Sequence, residues 1–374
     1  MIDDLALLTP TLTSLGWDAE LNAWADEVST TSTSPLTPGR IARVSRGFSL
    51  VFTGGEAVLA NSSSERSDAS TAPATGDYVL IGPDDEGAQI ITSIAPRRTA
   101  LMRRMPGRVP EPQILAANVE YVLVMHGLDR ELNIRRIERQ LVVAFDSGAT
   151  PVIVLTKSDY DDDVVEPVEQ AIERLGQAAD GVEIVVTSAK SGDGLDRLRE
   201  FFSGHRTSVM LGVSGIGKST LVNVLSDGIV QLTNEVRITD RRGRHTTVTR
   251  DLIPFPGGGM VIDTPGIREI GLWQAHAGLE RTFNDLSEAV EACRFADCQH
   301  NNEPNCGVQE VIDNGASTSE RLEHWLSLRA ELAEQDDQLE EFTRRNESRV
   351  RARAEDKHNK QRPKKTKRRG RDEL

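Results

Sequence analysis

A glycine-rich octapeptide near the middle of the chain constrains the fold more than any other feature of the sequence. It consists of Gly212, Val213, Ser214, Gly215, Ile216, Gly217, Lys218 and Ser219, with Thr220 directly after it, and it matches the phosphate-binding pattern G-x-x-x-x-G-K-[ST]. An apolar run at 208–213 leads into it and a helical pattern at 220–225 follows, which is the strand–loop–helix context that the pattern requires. The sequence therefore predicts a nucleotide site on an α/β domain.

The residue types of this loop and of a second motif suit a nucleoside triphosphate and its magnesium ion. Glycines allow successive backbone N–H groups to converge on phosphate oxygens at the positive end of a helix. We expect Lys218 to reach the β- and γ-phosphates and Ser219 to give its hydroxyl to Mg²⁺. A D-x-x-G motif begins at Asp263, directly after an apolar run at 260–262. Asp263 would hold Mg²⁺ through water, and the backbone N–H of Gly266 would meet the γ-phosphate.

Two tetrapeptides, each at the end of an apolar run, predict which base the site accepts. They consist of Thr156, Lys157, Ser158 and Asp159 after the run at 151–155, and of Thr187, Ser188, Ala189 and Lys190 after the run at 182–186. The carboxylate of Asp159 can accept two hydrogen bonds from N1–H and N2–H₂ of guanine, a pair that adenine does not offer. The Lys157 stem would cover the base, and backbone N–H groups of the second tetrapeptide would meet guanine O6. These residues favour GTP and GDP over adenine nucleotides.

The order of the motifs along the chain is unusual. In an ordinary GTPase the phosphate loop comes first, whereas here the base-reading tetrapeptides at 156–159 and 187–190 precede the loop at 212–219. This order indicates a circularly permuted domain, which proteins tolerate because the ends of a domain often lie close together. From residue 117 onwards, apolar runs alternate with helical stretches, a pattern that predicts a mostly parallel sheet.

The three cysteines of the chain form one cluster with a histidine. Cys293, Cys298, His300 and Cys306 are spaced C-x₄-C-x-H-x₅-C. Three thiolates and one imidazole complete a tetrahedral set, and a catalytic zinc would keep a position open for water. We therefore expect one structural Zn²⁺ that stabilises the fold, with buried free cysteines as the alternative.

Ahead of these motifs the chain has the pattern of a small all-β domain. Apolar runs at 41–44, 48–52, 57–59, 78–81 and 89–94 are interrupted by Gly, Pro and Asp, as in a small barrel or sandwich. Phe48, Phe52 and Tyr78 either stack on RNA bases or pack in the core. The polar stretch 29–35 cannot bury enough apolar surface to fold alone, so it is expected to be a linker, with folding starting near Gly39.

The motif order, the stretch 243–247, the D-x-x-G motif and the cysteine cluster together resemble the circularly permuted small-ribosomal-subunit biogenesis GTPases, the ribosome small subunit-dependent GTPase A family. The resemblance covers about residues 39–345. It implies an OB-fold barrel, a central GTPase domain and a zinc domain. It also implies an enzyme that hydrolyses GTP, binds the 30S subunit and its 16S rRNA during late maturation, and is stimulated by that subunit.

Two residues depart from the expected patterns. Thr156 stands where many GTPases have Asn, which would loosen the tie of this tetrapeptide to the phosphate loop. Val248 follows Thr246 and Thr247 where the family often has a third Thr. The switch hydroxyls are then those of Thr246 and Thr247, and we favour Thr247 as the ligand of Mg²⁺.

Elimination narrows the choice of the residue that orients the attacking water. In Ras-type enzymes a Gln follows the D-x-x-G motif, but Ile267 occupies that position here and cannot orient water. His245 lies between the phosphate loop and Asp263 and matches the switch histidine of the family, so it is the candidate catalytic residue. A histidine in a solvent-exposed loop is the alternative. A mobile histidine would need ordering from outside, which predicts slow turnover and stimulation by a partner.

We expect five parts in the chain, and the last of them carries the opposite charge to the rest. They are an N-terminal extension and linker at 1–38, the barrel at 39–105, the permuted GTPase domain at 106–275, a zinc-binding helical domain at 276–345, and a disordered basic tail at 346–374. A helix is expected over 318–345, capped by Thr318 or Ser319. The net charge is −14, of which residues 344–374 contribute +9 and the remainder −23. Such a tail favours contact with nucleic acid, with a solubilising tail as the alternative.

Composition narrows the location, and two other functions stay open. No apolar run approaches the length of a membrane span, and the start of the chain is acidic where a signal peptide is basic, so we expect a cytoplasmic protein. We also expect a monomer. A P-loop kinase is one alternative, although it would have no use for a guanine-reading carboxylate. A non-hydrolysing RNA-binding scaffold, gated by nucleotide, is the other.

Overall fold

The computed structural model describes residues 10–62, 71–105, 111–159, 167–226, 250–255, 258–263, 271–301 and 303–361. Its N-terminal half contains a closed five-stranded barrel. The strands are β1 (Thr37–Val44), β2 (Phe48–Phe52), β3 (Ala57–Asn61), β4 (Tyr78–Pro83) and β5 (Gln89–Ile94). Antiparallel pairing of β1 with β4 closes the barrel around buried Ile41, Val51 and Val79. The predicted barrel is confirmed, and the apolar runs lie within the strands.

The polar stretch 29–35, predicted to be a linker, is helical over residues 29–31, whereas residues 32–36 form neither helix nor strand. Helix α1 (Ala19–Thr31) includes the first three of the seven residues of the polar stretch and starts at a cap, where Asp18 accepts a hydrogen bond from the Leu21 N–H at 3.1 Å. Leu15 and Trp17 are buried, and the Arg40 guanidinium of the barrel donates to the Leu15 carbonyl at 2.8 Å. Because these apolar residues fix the helix to the barrel, its last turn can be polar without becoming a linker.

A second sheet carries the α/β part of the chain. Its strands are β8 (Tyr121–Gly127), β9 (Thr150–Thr156), β10 (Glu183–Thr187), β11 (Thr207–Leu211), β12 (Asp251–Pro254) and β13 (Met260–Asp263), preceded by a hairpin of β6 (Ala100–Arg104) and β7 (Pro112–Ala117). The order is β10-β9-β8-β11-β13-β12, parallel except for β12. The mostly parallel sheet is confirmed. The single bridge between Arg43 of β1 and Asp251 of β12 continues it into the barrel.

Helices cover the sheet and form the C-terminal part. They are α2 (Ile134–Asp146), α3 (Val168–Leu175), α4 (Leu195–Glu200), α5 (Lys218–Leu225), α6 (His276–Thr282), α7 (Asn284–Glu291), α8 (Gly307–Asp313) and α9 (Ser319–Gln361), with two short 3₁₀ turns at Gly176–Ala179 and Ser203–His205. The Thr318 hydroxyl caps α9 by accepting from the Arg321 N–H at 3.2 Å, as expected. None of the described helices combines the length and apolar character of a membrane span.

Helix α9 extends further than predicted. It continues to Gln361, so the part of the tail at 346–361, expected to be disordered, is helical. The stretch contains no Gly or Pro until Pro363 and is rich in Arg, Lys, Glu and Ala, which have high helix propensity. The charge run at the end of the chain therefore begins on a helix that is 43 residues long.

A buried ionic network joins α9 to the α/β part. Glu138 of α2 accepts hydrogen bonds from Arg321 and pairs with the ring of His324, both on α9, at 2.5 Å each. Arg321 also lies 2.8 Å from Asp285 of α7 and donates to the Thr282 carbonyl at 2.7 Å. The Glu138 and Arg321 side chains are only 2% and 6% exposed. The C-terminal helices are thus held on the α/β part by paired charges as well as by apolar contact.

Replacing Glu138 by Gln is expected to lower the free energy of unfolding by about 2 kcal/mol, because Arg321 then loses one of its two buried counter-charges. Urea unfolding curves measure the change. Glu323→Gln is the matched control, since Glu323 pairs with Arg135 on the exposed face of the same two helices and such pairs contribute about 0 to 1 kcal/mol. Equal free energies of unfolding for Glu138→Gln and Glu323→Gln would show that the buried pair contributes no more to stability than the exposed pair.

Candidate nucleotide site and metal centre

The predicted motifs meet at one edge of the parallel sheet. The first tetrapeptide follows the end of β9, the second follows β10, the phosphate loop follows β11, and Asp263 ends β13. Parallel strands place their carboxyl ends at the same edge, where open α/β sheets bind ligands. The topology thus brings together residues that are more than a hundred positions apart in the chain.

Direct hydrogen bonds tie the first tetrapeptide to the phosphate loop. The Thr156 hydroxyl donates to the Ile216 carbonyl at 2.6 Å, and Lys157 Nζ donates to the Gly215 carbonyl at 2.8 Å. The expectation that Thr156 would loosen this tie is therefore wrong, because its hydroxyl is within short hydrogen-bond distance of the loop. The Ser158 N–H donates to the Thr187 carbonyl at 3.3 Å, which links the two tetrapeptides.

Asp159 is held in the form that accepts hydrogen bonds. The Ser188 hydroxyl donates to its Oδ1, and Lys190 Nζ lies 3.6 Å from its Oδ2. The Ser188 hydrogen bond, with the charge of Lys190, lowers the pKa of the Asp159 carboxyl. Ser188 Oγ in turn accepts from the backbone N–H groups of Lys190 at 3.0 Å and Ser191 at 3.1 Å. Ser188 thus positions the carboxylate and also orders the second tetrapeptide, beyond the backbone role predicted for it.

The phosphate loop has the backbone that its glycines require. Gly215 and Gly217 have positive φ, +85° and +99°, and α5 begins directly after Gly217. Lys218 Nζ donates to the carbonyls of Gly212 and Val213, the latter at 3.0 Å. Burial lowers the pKa of Lys218, and the negative charge of Asp263 opposes that shift. The lysine and the carboxylate at the end of β13 are therefore close enough to interact electrostatically.

The oxygen groups available at this edge fit a magnesium ion. The Ser219 side chain is exposed in the first turn of α5, and Asp263 is half-buried at the end of β13. Hydroxyl and carboxylate oxygens are the ligands that Mg²⁺ prefers beside a phosphate. Thr220 is exposed next to Ser219. The other predicted residues of this region, His245, Thr246, Thr247 and Gly266, lie outside the described residues.

Asp129 and Arg130 belong to the site but were not predicted from the sequence. Asp129 Oδ2 accepts from Lys157 Nζ at 2.6 Å, and Arg130 Nε donates to Asp129 Oδ1 at 3.1 Å. Hydrogen bonds from Arg130 and Lys157 lower the pKa of Asp129 to about 2, so it is ionised near neutral pH. The sequence offered one signal, an aspartate two residues after the end of β8. In the sheet β8 lies between β9 and β11, which both carry motifs.

Asp129→Asn is expected to speed the release of GDP by about 3- to 10-fold, because Lys157 would lose the carboxylate that holds it against the phosphate loop. Stopped-flow release of a fluorescent GDP analogue measures the rate. Asp196→Asn is the control, since Asp196 pairs with Arg199 on the surface of α4. If both variants release GDP at the wild-type rate, Asp129 does not position Lys157.

The cysteine cluster has the geometry of a tetrahedral metal site. His300 Nδ1 lies 3.6 Å from the sulfurs of both Cys293 and Cys306, these two sulfurs are 3.9 Å apart, and all four ligand atoms, Cys298 included, lie within 4.8 Å of one another. Ligands at roughly 2.0 to 2.3 Å from one zinc ion would have such separations. Burial lowers the pKa of His300, which favours the neutral imidazole that binds metal.

The cluster is built between three helices. Cys293 follows α7, Cys306 precedes α8, and His300 has a left-handed backbone with φ +59°. Trp325 of α9 packs against the His300 ring, with centroids 5.9 Å apart. The predicted ligands therefore converge where a metal ion would fasten two short helices to the long one.

Comparisons with known proteins agree with this architecture. A family model described as RsgA GTPase matches residues 94–273, and one described as 50S ribosome-binding GTPase matches residues 207–350. A protein of Streptomyces coelicolor is 42% identical over 323 residues, which is 86% of this chain and of that one. One of Syntrophotalea carbinolica is 42% identical over 331 residues, 85% of this chain and 89% of that one. Both are named small ribosomal subunit biogenesis GTPase RsgA.

Two solved structures share the fold. The crystal structure of YjeQ from Thermotoga maritima matches with a TM-score of 0.57 and 27% identity over 80% of this chain and 99% of that one. YloQ, described as a circularly permuted GTPase, matches with a TM-score of 0.53 and 22% identity over 80% of this chain and 96% of that one. The permuted order predicted from the motifs is therefore confirmed at the level of the fold.

Proposed function

The chain belongs to the RsgA family of small ribosomal subunit biogenesis GTPases, and from this premise we propose that it hydrolyses GTP to GDP and phosphate during maturation of the small subunit. The observation that carries the proposal is the link between the base-reading tetrapeptide and the phosphate loop, made by Thr156 and Lys157. A guanine bound to Asp159 and phosphates bound to the loop would then belong to one nucleotide. The P-loop kinase is disfavoured, because a carboxylate held ionised at this position suits guanine.

The residues of the site have separate roles in binding the nucleotide and in hydrolysing it. The carboxylate of Asp159 accepts from guanine, and the backbone N–H groups of the loop, with Lys218, bind the phosphates. Ser219 and Thr247 would hold Mg²⁺ directly, and Asp263 would hold it through water. When bound, the ion neutralises charge that develops on the β- and γ-phosphate oxygens. His245 orients the attacking water, and the N–H of Gly266 meets the γ-phosphate.

The partner in this proposal is the 30S subunit with its 16S rRNA, bound by a cytoplasmic monomer. The GTP form binds the subunit. Hydrolysis releases the protein from the subunit, and the segment that follows Asp263 transmits this change. That segment leads directly to α6, which packs closely on α2: a Cβ on Gly278 would lie 2.0 Å from the Val142 carbonyl oxygen. Loss of the γ-phosphate on hydrolysis would therefore be transmitted to the C-terminal helices through a short stretch of chain.

Phosphate release from GTP and from ATP, each with and without purified small subunits, tests the proposal. We expect phosphate release from GTP and not from ATP. The release should be slow without subunits and faster with them. His245→Ala is expected to abolish the stimulation while GTP affinity stays unchanged. Tighter binding of ATP than of GTP would favour the kinase alternative, and no phosphate release under any condition would favour the non-hydrolysing scaffold. Equal affinity of the GTP and GDP forms for the subunit would contradict the release step.

A further inference from the structure

A pocket on the opposite edge of the parallel sheet has no role in the chemistry above. It lies at the amino ends of β8, β9 and β10, where Tyr121, Thr150 and Glu183 are the first residues of the three strands. The nucleotide site occupies the carboxyl ends of the same strands. The cavity has a volume of about 400 Å³. We call it the arginine pocket, after Arg197, Arg206 and Arg281, which line it with Tyr121, Phe145 and Phe201.

Each arginine of the pocket lies against an aromatic ring. The guanidinium carbon is 4.5 Å from the ring centroid for Arg281 on Phe145, 4.9 Å for Arg197 on Phe201, and 5.9 Å for Arg206 on Tyr121. The Tyr121 and Phe201 rings are themselves in contact, with centroids 5.0 Å apart. Stacking of this kind holds a guanidinium in place, so less side-chain entropy is lost when it binds a ligand.

The pocket carries one positive charge in excess, because Glu183 and Glu200 line it beside the three arginines. Arg197 is clamped by Glu183, with contacts of 2.5 and 2.7 Å, and also pairs with Glu200. Arg206 and Arg281 are exposed, and neither forms an ion pair with a carboxylate in the part of the chain that the structure describes. Outside the basic tail the chain carries a net charge of −23, so a cavity with an excess positive charge, and with two arginines that form no ion pair among the described residues, stands out from its surroundings.

We propose that the arginine pocket binds one nucleotide of single-stranded RNA, with its phosphate on Arg206 and Arg281. The guanidinium group is planar, weakly hydrated and able to bind phosphate through two hydrogen bonds, and unpaired bases stack on arginine planes and aromatic rings. A cavity of about 400 Å³ is in the range that small ligands occupy. RNA is preferred to an acidic peptide because a base could also stack on the outer face of an arginine plane. The choice of RNA rests on the proposed function, since ribosomal subunits are rich in it.

The double variant Arg206→Ala/Arg281→Ala tests this proposal against Arg135→Ala/Arg199→Ala. The control removes the same charge from exposed arginines that already pair with Glu323 and Asp196. Binding to small subunits is measured with a non-hydrolysable GTP analogue over a salt series. We expect affinity about 10-fold lower for the pocket variant and a plot of log affinity against log salt that is less steep by about 1 to 2. GTP turnover without subunits should be unchanged in both variants.

A second measurement uses a single-stranded RNA hexanucleotide labelled for fluorescence anisotropy. We expect the pocket variant to bind it more weakly than the control, and Arg206→Lys/Arg281→Lys to recover only part of the loss, because lysine keeps the charge without the planar stack. Equal RNA binding by pocket variant and control would overturn the proposal, even if subunit binding fell, since a ribosomal protein would then be the partner. If the wild-type chain fails to bind subunits, the proposed function fails, while the hexanucleotide still tests the pocket.

Discussion

Asp159→Asn is expected to lower affinity for GTP by about 10²- to 10³-fold and to raise affinity for xanthosine triphosphate. The carboxylate has two acceptors for the N1–H and N2–H₂ of guanine, whereas an amide offers one acceptor and one donor. Hydrogen bonds to a charged group contribute about 1.5 to 3 kcal/mol each, so the loss of one and the mispairing of the other give this range. The amide donor would instead meet the carbonyl at position 2 of xanthine.

Competition between nucleotides for a fluorescent analogue measures this change. Asp193→Asn is the matched control, because Asp193 lies in the loop after the second tetrapeptide and its Oδ2 accepts from the Ser191 hydroxyl at 2.6 Å, away from the base-reading carboxylate. The control should keep the wild-type preference. Unchanged GTP affinity in Asp159→Asn, or a gain in ATP affinity instead of xanthosine triphosphate, would show that this carboxylate does not read the base.

The convergence of the motifs could be predicted from the sequence because it depends on a simple rule. Each motif follows an apolar run, and parallel strands end at the same edge of a sheet, so Asp159 and Lys218 had to lie at the same edge once the runs were identified as strands. The hydrogen bonds within the site could not be predicted. Lys157 bends to Asp129 and Gly215 with a left-handed backbone, φ +62°, which no pattern of residue types specifies.

The parts that were missed or wrongly predicted depend on contacts between distant segments. Strands β6 and β7 contain Arg103, Arg104 and Gln113, which pair across the hairpin or with α9 instead of forming an apolar run. Helix α1 continues into the stretch predicted to be a linker, because its anchors, Leu15 and Trp17, lie outside that polar stretch. Local composition describes a segment by itself, whereas these segments are fixed by the surfaces against which they pack.

Loss of the metal centre is expected to have the largest effect on stability. The zinc-binding free energy of a structural site is also folding free energy, and removal of such an ion costs several kcal/mol. In Cys298→Ser the ligand set would be incomplete, and α7, α8 and the His300 loop would lose their fastening to Trp325. We expect zinc content to fall from about one ion per chain to well below one, and amide hydrogen exchange over residues 284–313 to become faster.

The separate attachment of α9 makes this loss local. Arg321 and His324 bind Glu138 through side chains that do not belong to the cysteine cluster, so α9 should stay docked on α2 and exchange in α2 should change little. His276→Ala is the control, since His276 is an exposed histidine on α6 that pairs with Asp336 at 2.9 Å and should leave zinc content unchanged. Chelation of the wild-type protein should reproduce the effect of Cys298→Ser, and added Zn²⁺ should reverse it. Full zinc content in Cys298→Ser with unchanged exchange would mean that the cluster packs as free thiols instead.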